Sequence, residues 1–399
     1  MAQVRPLPPI WLMGFGFLPL GASGAVMVIT VPQLLAASHV PEQQIASVTA
    51  IALTPGFISF ALAPLLDWRF TRRAYAIVLA VIGALFTFAA LLAVPNVHLV
   101  TAMLFSSNMA ISLCVSAVGG WFGNVTRTED KGALGAWFTV SNVGAGGLVA
   151  ALAIYLLREL PYALGAALIS LLVVAALPLF FWIDCPPADG RLASESFRDF
   201  VLDVLALLRK PTVLWTLLLF LLPSASFALT NILGGVGHDF ATSERMVGLI
   251  GGMGVAVAGV VGSLLVPGLA RRIAPRPLYL LVGVAGAAFT LILILLHRTP
   301  ATFGLAMLGE NVFQAAAFSV ANVITLRTIG HDNPLAATQF GLLTGATVVP
   351  LSYMQSIDGG AYGFGGVTGS YLADALISGG ACTALALVLW FLRRRIPVI

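Results

Sequence analysis

The chain has 399 residues, of which 59% are hydrophobic and 9% charged, with a mean hydropathy of +1.00. So few charges cannot cover a water-facing surface, which excludes a soluble globular fold and makes a bilayer the natural solvent. The net charge of +4 would point to nucleic acid in a soluble protein; here arginines border apolar runs, so topology explains them and no nucleic-acid partner is expected.

Runs of the roughly 20 apolar residues that cross a bilayer occur at 10–36, 45–66, 74–94, 98–123, 133–157 and 162–183. After a polar interval they resume at 211–235, 246–270, 277–297, 300–326, 336–357 and 369–392. This predicts an all-α integral membrane protein of twelve helices: an N-terminal six-helix bundle (1–183), a cytoplasmic linker (184–210) and a C-terminal six-helix bundle (211–399). The first run is too long for a signal-peptide core and is read as a retained helix ending near Gln33.

Span two holds Pro55 and ends in the charged island "PLLDWRFTRR" (64–73), with Asp67, Arg69 and Arg73, and Arg127 follows span four. Span four carries Asn108, Ser112 and Ser116 at steps of four, one stripe of a helix. Span five adds Ser141 and Asn142 beside small residues that allow close helix packing. In the linker, Phe197, Phe200, Val201, Val204 and Leu208 oppose Arg198, Asp199, Asp203 and Arg209, and Ser196 with Asp199 fits a capping box. The pattern predicts an amphipathic helix on the inner membrane surface, the alternative being an extension of span seven.

Span seven contributes Ser226, Thr230 and Asn231, and span eight a small-residue face in "VGLIGGMGVAVAGVVGS". The next loop, "PGLARRIAPR" (267–276), repeats the charged island with Arg272 and Arg276. Span ten places Glu310, Asn311, Gln314 and Asn322 in a sector of about 120° and ends at Arg327. Span eleven has Pro350 in mid-helix and Asp358, read as a cap at its outer end; span twelve has Asp374.

Polar groups in mid-bilayer are costly, about 3 kcal/mol for a bare carboxylate, and so mark function. Glu310 is therefore the leading proton-coupling candidate and Asp374 the second, although Asp374 has the alternative of reaching outward to the interface. For Glu310 the alternative is a protonated group bonded to Gln314 or an asparagine that only shapes a cavity. Asn108, Asn142, Asn231, Gln314 and Asn322 are the candidate substrate-binding residues.

With both termini and the even-to-odd loops cytoplasmic, only Arg158, Arg245 and Arg298 of the 20 Lys and Arg fall outside, which fixes the orientation. Sliding the sequence by 203 positions places Pro64, Leu66, Arg69, Arg73, Gly83, Ala84, Phe86 and Thr87 on Pro267, Leu269, Arg272, Arg276, Gly286, Ala287, Phe289 and Thr290. Six-helix halves repeated in parallel, related by a pseudo-twofold axis, resemble the major facilitator architecture.

Within that superfamily the chain resembles the peptide–acetyl-coenzyme A branch, with its AmpG-type muropeptide permeases and siderophore importers. The resemblance rests on "APLLDWRFTRRAYAIVLA" (63–80) and "NPLAATQFGLLTGATVVP" (333–350), the latter with Ala337-Thr338-Gln339-Phe340 leading into span eleven. It departs from the superfamily's loop signature at Ala63, Trp68 and Phe70, and in having Ala270 where the first copy has Asp67. Twelve spans fit the siderophore importers better than the longer muropeptide permeases. The resemblance implies a latch in which Asp67 meets arginines and the positive start of span eleven, and makes Asp67, Arg69, Arg73, Arg127, Arg272, Arg276 and Arg327 the candidate gating residues. It also implies a bacterial inner-membrane protein.

An intramembrane enzyme would want clustered histidines and acids, or an activated serine, within the spans. Here the histidines lie at span edges, the acids are single, and no nucleotide-binding loop or metal-ligand spacing occurs. The function read from the sequence is secondary active transport, not catalysis. The proton gradient drives uptake of a bulky organic solute of the siderophore or muropeptide class, with no cofactor and a monomer sufficing. Proton-coupled efflux of amphipathic compounds is the alternative, and an intramembrane enzyme the remote one.

Overall fold

The computed structural model describes residues 7–186, 197–225 and 228–395, apart from the side chains of 197 and 392–395. Ser196 and Ser226 lie outside the described residues.

Among the described residues the chain is helical, without strands. Ten helices among the described residues are long and apolar enough to cross a membrane: Ile10–Ala37, Glu42–Ala61, Arg72–Ala93, Val97–Val125, Lys131–Glu159, Tyr162–Trp182, Glu244–Ala270, Pro275–Ile294, Pro300–Ile329 and Ala336–Phe391. The last holds two spans. Gly366 (φ 58°, ψ −151°) occupies a region open in practice only to glycine, so the helix breaks there. Ser370 Oγ then donates 2.9 Å back to the Asp358 carbonyl, closing a hairpin of spans eleven and twelve.

Span seven is built of two shorter helices, Pro211–Phe220 and Ala228–Gly235. Pro223 lies in the gap; it has no N–H to continue the helix. Beside it Ser224 Oγ donates 2.8 Å to the Tyr279 carbonyl of span nine. With this pair counted, the twelve expected spans are all present. Helix starts follow local chemistry: Thr71, Asn96 and Ser243 each accept a first-turn N–H, from Ala74, Leu99 and Met246.

The linker helix Phe197–Leu208 is distinct from span seven, from which Arg209 and Lys210 separate it. Phe200 is buried and stacks on Trp68 at 6.3 Å, while Val201, Leu202 and Leu205 are exposed. One face thus pins the helix to the loop after span two, and another leaves leucines free for an apolar phase.

The chain packs as two compact units, Met1–Leu214 with Thr325–Gly345, and Trp215–Ile324 with Ala346–Ile399. The first has an aromatic core in which Phe17 and Phe138 stack at 3.8 Å beside Phe122, Trp121 and Phe180. The second gathers Leu229, Phe240, Phe303, Met307 and Tyr371.

Candidate functional site

In the first unit the turn between spans ten and eleven is held by two opposite charges. Pro55 interrupts span two, which tightens into 3₁₀ turns ending at Ala63–Asp67. Arg69 then takes a left-handed φ of 65° and stacks over Trp68 at 4.5 Å, turning the chain so that Arg72 returns to Asp67. Arg72 Nε meets Asp67 Oδ1 at 2.7 Å, and the Asp67 side chain is fully buried. Asp67 Oδ1 also accepts from the Ala337 N–H at 3.2 Å; its Oδ2 accepts from Thr338 N and Thr338 Oγ1, each at 2.7 Å. These are orphan donors at the start of span eleven, where the helix dipole is positive. Arg72 Nη2 spans the turn, donating to the carbonyls of Asn333 (3.0 Å) and Pro334 (2.7 Å).

Lys131 does the converse at the end of span ten. It is 1% exposed, and its Nζ donates to the carbonyls of Leu326 (2.9 Å) and Gly330 (2.8 Å), at the negative end of that helix. Asn124 Nδ2 adds a 3.1 Å bond to the Asn333 carbonyl, and Asn333 Nδ2 reaches Gln339 Oε1 at 2.8 Å. Span four comes close enough that a Cβ on Gly120 would strike the backbone of Ala337, and Phe340 lies on Gly119. Thr338, Gln339 and Phe340 of the family-like motif therefore all engage this clamp.

The gating candidates are distributed otherwise. Asp67 is central, but the arginine that contacts it is Arg72; Arg69 is occupied with Trp68. Arg127 is exposed and faces Glu129 at 3.8 Å. Arg272 and Arg327 are exposed and Arg276 and Arg73 half-buried. Lys131 escaped the sequence reading because a lysine in a loop reads as a topology signal.

The polar residues in mid-span also turn out specific. Asn108 Nδ2 donates 2.8 Å to the Ala52 carbonyl, just before the break at Pro55, and its Oδ1 accepts from Ser112 at 3.4 Å. Its side chain is therefore committed to joining span four to span two. Asn142 is half-buried where span five meets span one: a Cβ on Gly21 would run into its carbonyl. Gln33 and Asn231 are exposed, and Asn322 is buried.

In the second unit Glu310, 3% exposed, accepts a 2.6 Å bond from Thr290 Oγ1 of span nine, while Thr290 also donates to the Gly286 carbonyl at 3.0 Å. Its partner is thus neither Gln314 nor an asparagine. Gln314 accepts 2.9 Å from Thr230 of span seven, and Asn311 donates to the Met307 carbonyl of its own helix. Asp374 is buried, so it does not reach outward, and Asp358 is wholly buried with neither carboxyl oxygen partnered, which removes it as an outer cap. The span-eleven helix runs on for two turns beyond Asp358 before Gly366 breaks it, which is why the acid ends up inside. Among the described residues no group of three or more His, Cys, Asp or Glu is placed to hold a metal ion.

Residues 13–349 match the Major Facilitator Superfamily. A search of curated protein sequences finds no match. Among solved structures, the Escherichia coli fucose:proton symporter FucP superposes with a TM-score of 0.72 at 15% identity, over 95% of this chain and 98% of that one. The proton:xylose symporter XylE gives 0.69 at 14%, over 95% and 94%, and a bacterial homologue of the iron transporter ferroportin 0.65 at 14%, over 95% and 100%. At these identities the likeness is one of fold. The family match spans most of the chain, and the protein belongs to the Major Facilitator Superfamily.

Proposed function

We propose that this secondary transporter couples proton movement to the uptake of a bulky, uncharged or weakly charged organic solute by alternating access. The observation that carries the reading is Glu310, a carboxyl sealed inside the second unit with a single hydroxyl donor. Such a group is expensive in a membrane unless it is used. Its position against span nine implies that it acts on helix packing more than on the solute directly. Gln314 and Thr230 on the neighbouring side offer hydrogen bonds to a solute, as do Asn142, Asn231 and Asn322; Asn108 is withdrawn to a structural role.

The clamp on the turn between spans ten and eleven is the gate of this scheme, on the cytoplasmic side by the charge distribution of the loops. Asp67, Arg72 and Lys131 hold it by matching each helix dipole with the opposite charge. The arginines of the spans lie at their ends and none in their central part, which disfavours a strongly anionic cargo. The proton-coupled sugar symporters among the similar folds agree with this mode of coupling. The two quoted motifs favour the AmpG-like branch and a siderophore or muropeptide cargo in a bacterial inner membrane.

A thermal-shift screen of purified protein against siderophores, muropeptides and amphipathic drugs identifies the cargo. Right-side-out vesicles with an imposed inward proton gradient then accumulate it, and Glu310→Gln abolishes uphill accumulation while leaving downhill exchange. Unchanged accumulation in that variant removes Glu310 from the mechanism; accumulation only in inside-out vesicles makes the protein an exporter.

A further inference from the structure

The end of spans two and four opposite the clamp holds an open groove of about 680 Å³. Its walls follow from helix periodicity. Gln43, Ser47 and Ile51 lie at steps of four on Glu42–Leu53, the first part of span two. Thr101 and Phe105 do so on span four, with Ala102 and Ser106 beside them. Each helix thus lays a stripe of two turns, about 12 Å, along the groove. Just past Ile51 and Ser106, the 2.8 Å bond from Asn108 Nδ2 to the Ala52 carbonyl ties the helices together and ends it. None of the candidate substrate-binding residues is among those that line it.

The hydrogen bonds of the lining define its chemistry. Ser47 Oγ donates 2.8 Å to the Gln43 carbonyl, Thr101 Oγ1 2.7 Å to the Val97 carbonyl and Ser106 Oγ 2.9 Å to the Ala102 carbonyl. A hydroxyl has one proton and two lone pairs, so all three offer only acceptor lone pairs to a ligand. Gln43, Gln44 and His98, all exposed, add two amides and an imidazole. Among the described residues that line the groove there is no Asp, Glu, Lys or Arg, and so no counter-charge for an ion. Ile51 and Phe105 supply an apolar side. A lipid chain there would leave the amides and hydroxyls unmatched. What matches is a neutral molecule with several O–H donors on one side and an apolar body on the other. The volume lies within the range of small-molecule sites, about 300–1,000 Å³.

We propose that this groove is a binding site for neutral amphiphilic solutes of the glycoside type. Sugar hydroxyls donate to Ser47, Thr101 and Ser106, while an aromatic or alkyl aglycone lies on Ile51 and Phe105. The inference rests on the reading of the chain as a transporter of a weakly charged organic solute. It adds a place where such a solute is held, at the end remote from the clamp, and gives the Asn108–Ala52 bond the task of setting the groove's depth.

The test uses the full chain in nanodiscs, with empty nanodiscs as the baseline. Equilibrium dialysis measures binding of the 4-nitrophenyl β-glucoside, β-galactoside and β-maltoside, which carry hydroxyls and an aromatic ring but no charge. At least one is expected to bind saturably. Its fully O-methylated form keeps the apolar body without any O–H donor, and is expected to bind at least about tenfold more weakly. Ala102→Trp fills the groove from an exposed position and is expected to abolish saturable binding. Ser47→Ala and Thr101→Val each remove one acceptor and are expected to weaken it about two- to tenfold. No saturable binding of any of these glycosides would overturn the proposal. So would a methylated form that binds as well as the free one, or undiminished binding in Ala102→Trp, which would put the ligand elsewhere. Gel filtration and thermal unfolding show which variants remain folded, and Ser47→Ala preserves the test if Ala102→Trp does not. The transport reading fails separately: glycoside held in the groove of a protein that moves no solute in either direction leaves the site and removes the transporter.

Discussion

Two contacts related by the internal repeat show what the second half of the chain has become. In the first half, Thr87 Oγ1 donates to the Gly83 carbonyl at 2.9 Å and meets Ser107 Oγ at 2.8 Å, joining spans three and four. In the second, 203 positions on, Thr290 Oγ1 donates to the Gly286 carbonyl and to Glu310. The framework is the same: a threonine one turn after a glycine, bonding a residue twenty positions later. Only the far partner differs, a hydroxyl in one copy and a carboxyl in the other. The loop after the second helix of each half diverges the opposite way. Asp67 and Arg72 of the first copy correspond to Ala270 and Pro275 of the second. The clamp acid survives in one half and the buried acid in the other, so the duplicated frame carries two different jobs.

The comparison breaks most completely at Asp67. Asp67→Ala removes the acceptor of three helix-start donors and leaves the part-buried Arg72 beside no counter-charge, at a cost of about 3–5 kcal/mol to the clamped arrangement. Amide hydrogen exchange across residues 333–340 is expected to accelerate roughly a hundredfold or more; protection unchanged from wild type would show that Asp67 does not hold the turn. Lys131→Met, which leaves two helix-end carbonyls without their charged donor, is expected to act in the same direction with about 2 kcal/mol.

Introducing the second copy's acid into the first comes next. Ser107→Glu places a carboxyl beside the corresponding threonine, Thr87, and is expected to cost about 3 kcal/mol in thermal unfolding of the detergent-solubilised protein. The reciprocal Glu310→Ser keeps a hydroxyl pair like Thr87–Ser107 and is expected to be stable while losing uphill transport. A Glu310→Ser protein that unfolds early would mean that the carboxyl is structural.

The helices were legible because hydropathy over some twenty residues needs no knowledge of what a helix touches. What the repeat obscured was the identity of the working side chains. Arg69, Arg73, Arg272 and Arg276 drew attention because they are duplicated, yet the clamp uses the unduplicated Asp67–Arg72 pair. Lys131 bonds carbonyls 195 and 199 residues away, and nothing near it in sequence announces them. The orientation of Glu310 was recoverable: the shift that pairs Thr87 with Thr290 also pairs Ser107 with Glu310, and so points the acid at span nine. The break in span seven hides at Pro223, inside an otherwise apolar run.

The threonines sharpen the point. Thr290→Ala leaves Glu310 without its donor and is expected to cost about 1–3 kcal/mol. Thr87→Ala leaves Ser107 bonded to the Gly83 carbonyl, 2.9 Å away, and is expected to cost less than about 1 kcal/mol. Equal losses in unfolding midpoint would mean that the carboxyl places no special demand on its threonine.

The smallest effect is expected where the first copy's acid is restored in the second. Ala270→Asp returns the residue that the repeat is missing, but not the geometry that made it useful. In the first copy, 3₁₀ turns and the left-handed Arg69 fold the chain back so that Arg72 reaches Asp67. In the second, the helix continues through Pro267 to Ala270, and the position of Arg72 is held by Pro275, which starts span nine. The new carboxylate would sit half-exposed at a helix C-terminus, where the dipole opposes it by a few tenths of a kcal/mol and the adjacent Arg271 and Arg272 return a similar amount. Stability is therefore expected to stay within about 0.5 kcal/mol of wild type, with exchange at 333–340 unaltered. A marked stabilisation would instead mean that the second loop still presents a receptive helix start to an acid, and that its divergence has removed the charge but kept the socket.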